Sequence, residues 1–356
     1  MPKAGLFAGE ATESAPIDGA LTTKQKGYHW MQWGTPAPRP FVFKITVNDT
    51  TFTMPTPQYL WDDVTPAVYD YTVDWGTGEP EENITSWSAF HDYTGYDGEY
   101  TITISGTMDL FRCGEYSPSN DEILITEFTQ WGSVWIKELQ DTFQDCVNMQ
   151  YIATDAPELA GATSLYRMFR NAGNNVALAT ADFSGWVVDD ITDFQDTFFG
   201  CGYNPNVGGW DVSSSTTFDE MFDGAVRFNQ DISGWDVAAS TTFHQMFTGC
   251  TLFNADLSSW NVSGGVSFNS MFANTAVNFD LSGWTPTKAD GFFRFLEGTN
   301  MSVANYDLLL AAWSLLAFDN SGYQFWCSAQ YTNLLDHQSL ESPPFSWAFT
   351  DGGLQP

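Results

Sequence analysis

Phe228-Asn229-Gln230-Asp231-Ile232-Ser233-Gly234-Trp235-Asp236-Val237 is the stretch on which the fold turns, because it recurs. Its tryptophan belongs to a row, Trp186, Trp210, Trp235, Trp260 and Trp284, spaced by 24, 25, 25 and 24 residues. A second ladder follows the first. Phe218-Asp219-Glu220-Met221-Phe222 aligns with Phe243-His244-Gln245-Met246-Phe247 and with Phe268-Asn269-Ser270-Met271-Phe272. Weaker copies at Leu139…Phe143, Leu165…Phe169, Phe194…Phe198 and Phe292…Leu296 bring the array to seven. A period of this length marks stacked units, each too small to bury its apolar face alone.

Within a copy the apolar residues fall at i, i+3 and i+4, the spacing of one helical turn facing a core. The tryptophan ends a short extended run. One strand and one short helical turn per copy predict an α/β leucine-rich-repeat solenoid of about seven repeats of 24–29 residues. It is placed at residues 113–299, with a C-terminal cap over 300–356. Phe228 to Val237, followed by its Met-Phe turn, resembles the motif of the BspA-like leucine-rich-repeat surface proteins. Ile125-Thr126-Glu127-Phe128 fits the start of such an array, and Asn305-Tyr306-Asp307 with Trp313, Tyr331 and Trp347 fits its cap. The resemblance implies a surface-displayed protein that binds other macromolecules.

Residues 39–112 read as all-β. Phe41 to Val47 mixes β-branched and aromatic residues, and Tyr69 to Trp75 and Tyr100 to Ile104 alternate, as half-buried strands do. A small immunoglobulin-like sandwich is expected. Val73-Asp74-Trp75-Gly76-Thr77-Gly78, His91-Asp92-Tyr93 and Gly98 to Ile104 resemble a PKD-type domain, with Thr77 where that family has Asp. The resemblance implies a non-catalytic spacer. Residues 1–38 read as an irregular arm with an aromatic patch, Tyr28, His29, Trp30 and Trp33. Such a patch packs on its own domain or docks on a partner; docking is the reading carried into the functional expectation.

The chain holds 12 Lys and Arg against 44 Asp and Glu, a formal charge of −32. Residues 1–44 carry five cations and three acids, net +2, which leaves the other 312 residues at −34. That balance argues against nucleic acid, which needs a basic face, and against anionic membrane surfaces. No apolar run approaches the length of a membrane span. The N-terminus has no apolar stretch of the secretory kind.

The candidate chemistry is thin. Cys146, Cys201 and Cys250 share one repeat position with Ala172, Ala225, Thr275 and Thr299. A slot that accepts Cys, Ala or Thr is small, so free thiols are expected there. His29, His91, His244 and His337 show no metal-ligand spacing. No nucleophile-elbow motif occurs. Asp182, Asp231, Asp256 and Asp280 each stand four residues before a repeat tryptophan, with Asn206 in the remaining copy. Stacked, they form a row in which each carboxylate accepts turn amides or, alternatively, in which calcium relieves their repulsion. The five tryptophans, with Phe222, Phe247 and Phe272, are read as repeat core; a sugar-stacking platform is the alternative for the tryptophans.

These readings converge on a non-enzymatic protein displayed outside, anchored to a larger assembly through its arm and binding a protein or glycan, with no cofactor unless calcium. A virion (phage) decoration or fibre is favoured. A bacterial cell-surface adhesin is the alternative, and a carbohydrate-active enzyme a remote one.

Overall fold

Alternation along Phe41–Asn48 (β1) puts Phe41, Phe43, Ile45 and Val47 on one buried face, the period-two signature of a strand covering a core. Thr51–Thr53 (β2), Tyr69–Asp74 (β3), Glu82–Ile84 (β4), Phe90–Asp92 (β5) and Asp97–Leu110 (β6) follow. Ile125–Gln130 (β7), Trp135–Glu138 (β8) and Gln150–Tyr151 (β9) complete the first region. The computed structural model describes residues 38–354 except 63, 88, 115–120, 178–179, 319–323, 333 and 343–346. The aromatic patch of the arm, Tyr28, His29, Trp30 and Trp33, therefore lies outside the described residues. Residues 39–356 form one unit by themselves.

The expected architecture of a two-sheet sandwich followed by an α/β leucine-rich-repeat solenoid is corrected here. The first region is one seven-stranded mixed sheet, ordered β4-β3-β6-β1-β7-β9, with β8 joined to β6. Strands β2 and β5 make a separate antiparallel ribbon. The sheet does not stop near residue 112. Strands β8 and β9 run parallel to β6 and β7, which carries the sheet into the first repeat copies.

Among the described residues the repeat copies contain no α-helix. Residue 220 shows why: Glu220 has φ 56° and Gly224 φ 70°, both left-handed, and a left-handed residue cannot continue a right-handed helix. The amides of Met221, Asp223 and Ala225 donate three residues back, to Phe218, Glu220 and Phe222. The amides between them donate outward, Glu220 to His244, Phe222 to Met246 and Gly224 to Thr248, at 2.8, 2.9 and 2.7 Å. Each copy is thus a ribbon of overlapping four-residue turns, hydrogen-bonded sideways to the next. Equivalent left-handed pairs recur at Arg167 and Asn171, Asp196 and Gly200, Gln245 and Gly249, Ser270 and Asn274, and Arg294 and Gly298.

Single parallel bridges link the copies in series, Ser164 to Asp193, Thr217, Thr242, Ser267 and Gly291. Two short strands, Thr180–Asp182 (β10) and Asn204–Asn206 (β11), pair in parallel beside them. Inside, Phe169, Phe198, Phe222, Phe247 and Phe272 stack in register, 5.5 to 5.8 Å apart with ring planes within 9°. The far end is closed by the parallel strands Phe292–Leu296 (β12), Gln324–Cys327 (β13) and Ala348–Thr350 (β14). Two short helices lie with them, Val303–Trp313 (α1) and Leu334–Glu341 (α2). Ser302 caps α1 by accepting the Asn305 amide, which satisfies one of the orphan donors of its first turn.

Candidate functional site

The repeated polar positions are the natural place to look for a site. Asp182, Asp231, Asp256 and Asp280 each accept, on Oδ1, the amide of the serine two residues on, at 2.8 to 3.0 Å. Ser184 and Ser233, by hydroxyl and amide, hold the Asp182 and Asp231 carboxyls below the usual carboxylate range. Asn206 fills the gap in the row and donates to Asp182 at 3.2 Å. A parallel row one residue after Trp210, Trp235 and Trp260 behaves alike, with Asp211, Asp236 and Asn261 accepting the amides of Ser213, Ala238 and Ser263. These carboxylates close turns. Among the described residues no three His, Cys, Asp or Glu side chains converge in a metal-binding arrangement.

Trp186, Trp210, Trp235, Trp260 and Trp284 are all at most 5% exposed. The indole Nε1–H of Trp210, Trp235, Trp260 and Trp284 donates to the carbonyls of Phe183, Val207, Ile232 and Leu257 in the preceding copy, at 2.9 to 3.1 Å. Trp313 of α1 continues the ladder onto the Trp284 carbonyl. Phe222, Phe247 and Phe272 are fully buried. Buried, with their faces on neighbouring rings and the polar edges of Trp210, Trp235, Trp260 and Trp284 bonded, the indoles present no platform to solvent.

An asparagine ladder escaped the sequence reading. The amides of Asn229, Asn254, Asn278 and Ser302 donate to the Oδ1 atoms of Asn204, Asn229, Asn254 and Asn278, at 2.8 to 3.2 Å. The recurrence of these asparagines at intervals of 25, 25 and 24 residues was its signal.

The five cysteines are buried free thiols. Burial pushes Cys201 and Cys327 up to about 12, which suits packing rather than nucleophilic chemistry. Cys113 neighbours Cys146, and burial pushes its thiol well up as well. His244 donates its amide to Asp219. His91 stacks on Trp75 and meets Tyr93 edge to face. His337 is buried, sandwiched by Tyr331 and Phe349, with Nε2 2.9 Å from Asp351. Burial of Asp351 acts to raise its pKa, but His337, the Gly353 amide and the Tyr306 hydroxyl together outweigh it and hold the carboxyl low.

The turn ribbons gather acids of a different kind. Buried Asp196 and half-buried Glu220 and Asp223 are neighbours along one edge. Desolvation raises all three, and Asp223, also repelled by Glu220, is pushed up to about 6. Gln245 Nε2 donates to Asp223 at 2.9 Å. Arg170 pairs with Asp196 at 2.7 Å and Arg167 at 3.6 Å.

No curated protein and no solved structure matches the chain. Residues 163–300, from the bridge ladder's start to the end of the last turn ribbon, match the family model DUF285, described as a Mycoplasma protein of unknown function.

Proposed function

We propose that the chain is a non-enzymatic binding protein displayed on the outside of a particle or cell, where its repeat stack meets a protein or glycan. The observation that carries this reading is how the repeated side chains are used. Indoles, asparagines and turn carboxylates each bond to a neighbouring copy or close a turn of their own. The residues that change from copy to copy, such as Val187, Val226 and Leu252, face solvent. A constant scaffold carrying a variable surface is what a repeat architecture offers a partner.

The finer reading is a virion decoration or fibre seated through residues 1–38. A cell-surface adhesin is the second reading, favoured by the cellular origin in the description of the matching family. Density-gradient fractionation of the source culture, with peptide mass spectrometry of this chain, tests both. Co-sedimentation with particles is expected. Recovery in the cell envelope overturns the virion and leaves display standing, and recovery among soluble internal proteins overturns display itself. Calcium on the Asp row is the remaining cofactor reading. We favour the turn role because each carboxylate already accepts an amide. A melting temperature raised by calcium and lowered again by a chelator would reverse that choice.

A further inference from the structure

Strand β6 ends at Leu110, and the residues after it take the place of a repeat copy ahead of the first. The Phe111 ring lies 6.1 Å from that of Phe143, close to the 5.5 Å step from Phe143 to Phe169. The Cys113 amide donates to the Asp141 carbonyl at 3.0 Å. A Cβ on Gly114 would sit 2.7 Å from Gln144 Cγ. Residues 111–114 and 141–146 thus run side by side. Gly114 and Gln144 line a cleft of about 420 Å³ together with Arg167 and Arg170. Cys113 and Cys146 lie in the core instead, as fully buried neighbours.

That juxtaposition belongs to the first copy alone. Along the repeat slot the residues run Cys146, Ala172, Cys201, Ala225, Cys250, Thr275, so no two adjacent copies both hold a cysteine. Cys146 and Cys201 stand two ladder steps apart, each step 5.5 Å. Cys201 and Cys250 are separated likewise, by steps of 5.6 and 5.8 Å. Two steps exceed the roughly 7 Å that a disulfide spans between Cα atoms. A single step, the separation of the 111–114 segment from the first copy, falls inside the window of about 4.4–6.8 Å.

We propose that Cys113 and Cys146 form a disulfide when the chain folds in an oxidising compartment, stapling the end of β6 to the first turn ribbon. The bond goes beyond the binding-protein reading and does not depend on it. The oxidant is a low-molecular-weight disulfide such as oxidised glutathione. The thiolate of one cysteine attacks a sulfur of that disulfide, forming a mixed disulfide and releasing one small thiol. The thiolate of the other cysteine then attacks the protein-bound sulfur, closing the Cys113–Cys146 bond and releasing the second small thiol. The two protons and two electrons lost by the protein thiols are recovered in the two small thiols. The exchange belongs to folding, before the pair is covered, because a thiol in the core with Glu122 and Asp145 near it is held protonated. The closed loop contains β7 and β8, so the staple restricts the unfolded chain across the whole entry to the repeat stack.

The test is refolding of the full chain from denaturant in a mixed oxidised and reduced glutathione buffer, beside a fully reduced control. Remaining thiols are then alkylated in denaturant. Trypsin cuts after Arg112, Lys137 and Arg167, so Cys113 and Cys146 fall on separate peptides, 113–137 and 138–167. Those two peptides joined in one mass, and parted by reductant, are expected, with Cys201, Cys250 and Cys327 alkylated. The bridged chain should melt at least about 4 °C above the reduced one. Cys146→Ala suits a slot that already holds Ala172 and Ala225; it should abolish this redox dependence, whereas Cys201→Ala should keep it. Alkylation of all five thiols in the refolded chain, a bridge to any other cysteine, or equal melting with and without reductant overturns the proposal. If the denatured chain does not refold, export of the full chain to an oxidising bacterial periplasm replaces that step, and the same peptide map decides.

Discussion

Trp235 shows how one residue serves several bonds at once. It is buried, stacks on Trp260 with ring planes 8° apart, and donates Nε1–H to Val207 at 3.1 Å. Trp235→Ala loses the packing and orphans a carbonyl, so a loss of about 3–5 kcal/mol is expected, measured by urea denaturation. Asp223 works in the opposite direction. Its folded pKa of about 6 lies above the ordinary 3.8, so the folded chain holds this proton more tightly than the unfolded one. Its contribution is fully present below the unfolded pKa and is lost as pH rises through about 6. Asp223→Asn should therefore raise the melting temperature at pH 7.5 and change it little at pH 4. A rise of equal size at both pH values would contradict the assignment.

The turn ribbon is the element that defines the repeat. Its second left-handed position is Gly200, Gly224, Gly249 or Gly298, with Asn at 171 and 274, residues that tolerate that region best. A Cβ on Gly249 would find only Gly224 backbone atoms at 3.6 Å. Gly249→Ala should then cost only the backbone penalty, about 1–2 kcal/mol. Gly173→Ala should cost far more, because a Cβ there would come within 2.2 Å of the Tyr203 ring. Paired melts of the two variants check the distinction. In the asparagine ladder, Asn254→Ala removes the acceptor for the Asn278 amide. About 0.5–1.5 kcal/mol is expected from that exposed bond.

For the whole molecule the dominant feature is charge. A formal −32 on 356 residues opposes the compact state, and the first sheet answers it only locally, with Lys44 bridging Glu99 and Glu127 at 3.2 and 2.8 Å. Raising monovalent salt from 20 mM to 500 mM shortens the Debye length several-fold. The melting temperature should rise across that range, by a similar amount for sodium and potassium. A flat response would mean that the acids are spaced or paired well enough already. The same charge makes Arg167 and Arg170 unusual, since they place cations at one cleft of an otherwise acidic surface.

How much was legible follows from what repeats. A period of 24 to 25 residues is a property of the chain itself, so the Trp and Phe ladders, the small Cys/Ala/Thr slot and the Asp row stand out from spacing alone. The backbone between those positions was not. Apolar residues at i, i+3 and i+4 suit a helical turn and a ribbon of overlapping turns equally, because both bring the same side chains to one face. What separates them is a left-handed residue every fourth position and amides that bond to the next copy; the first was hinted at by Gly200, Gly224 and Gly249, and the second exists only once copies stack. The single mixed sheet and the cleft are tertiary for the same reason. Gln144, Arg167 and Gly114 are far apart or unremarkable in sequence, and only tertiary packing brings them to the lining of one cleft.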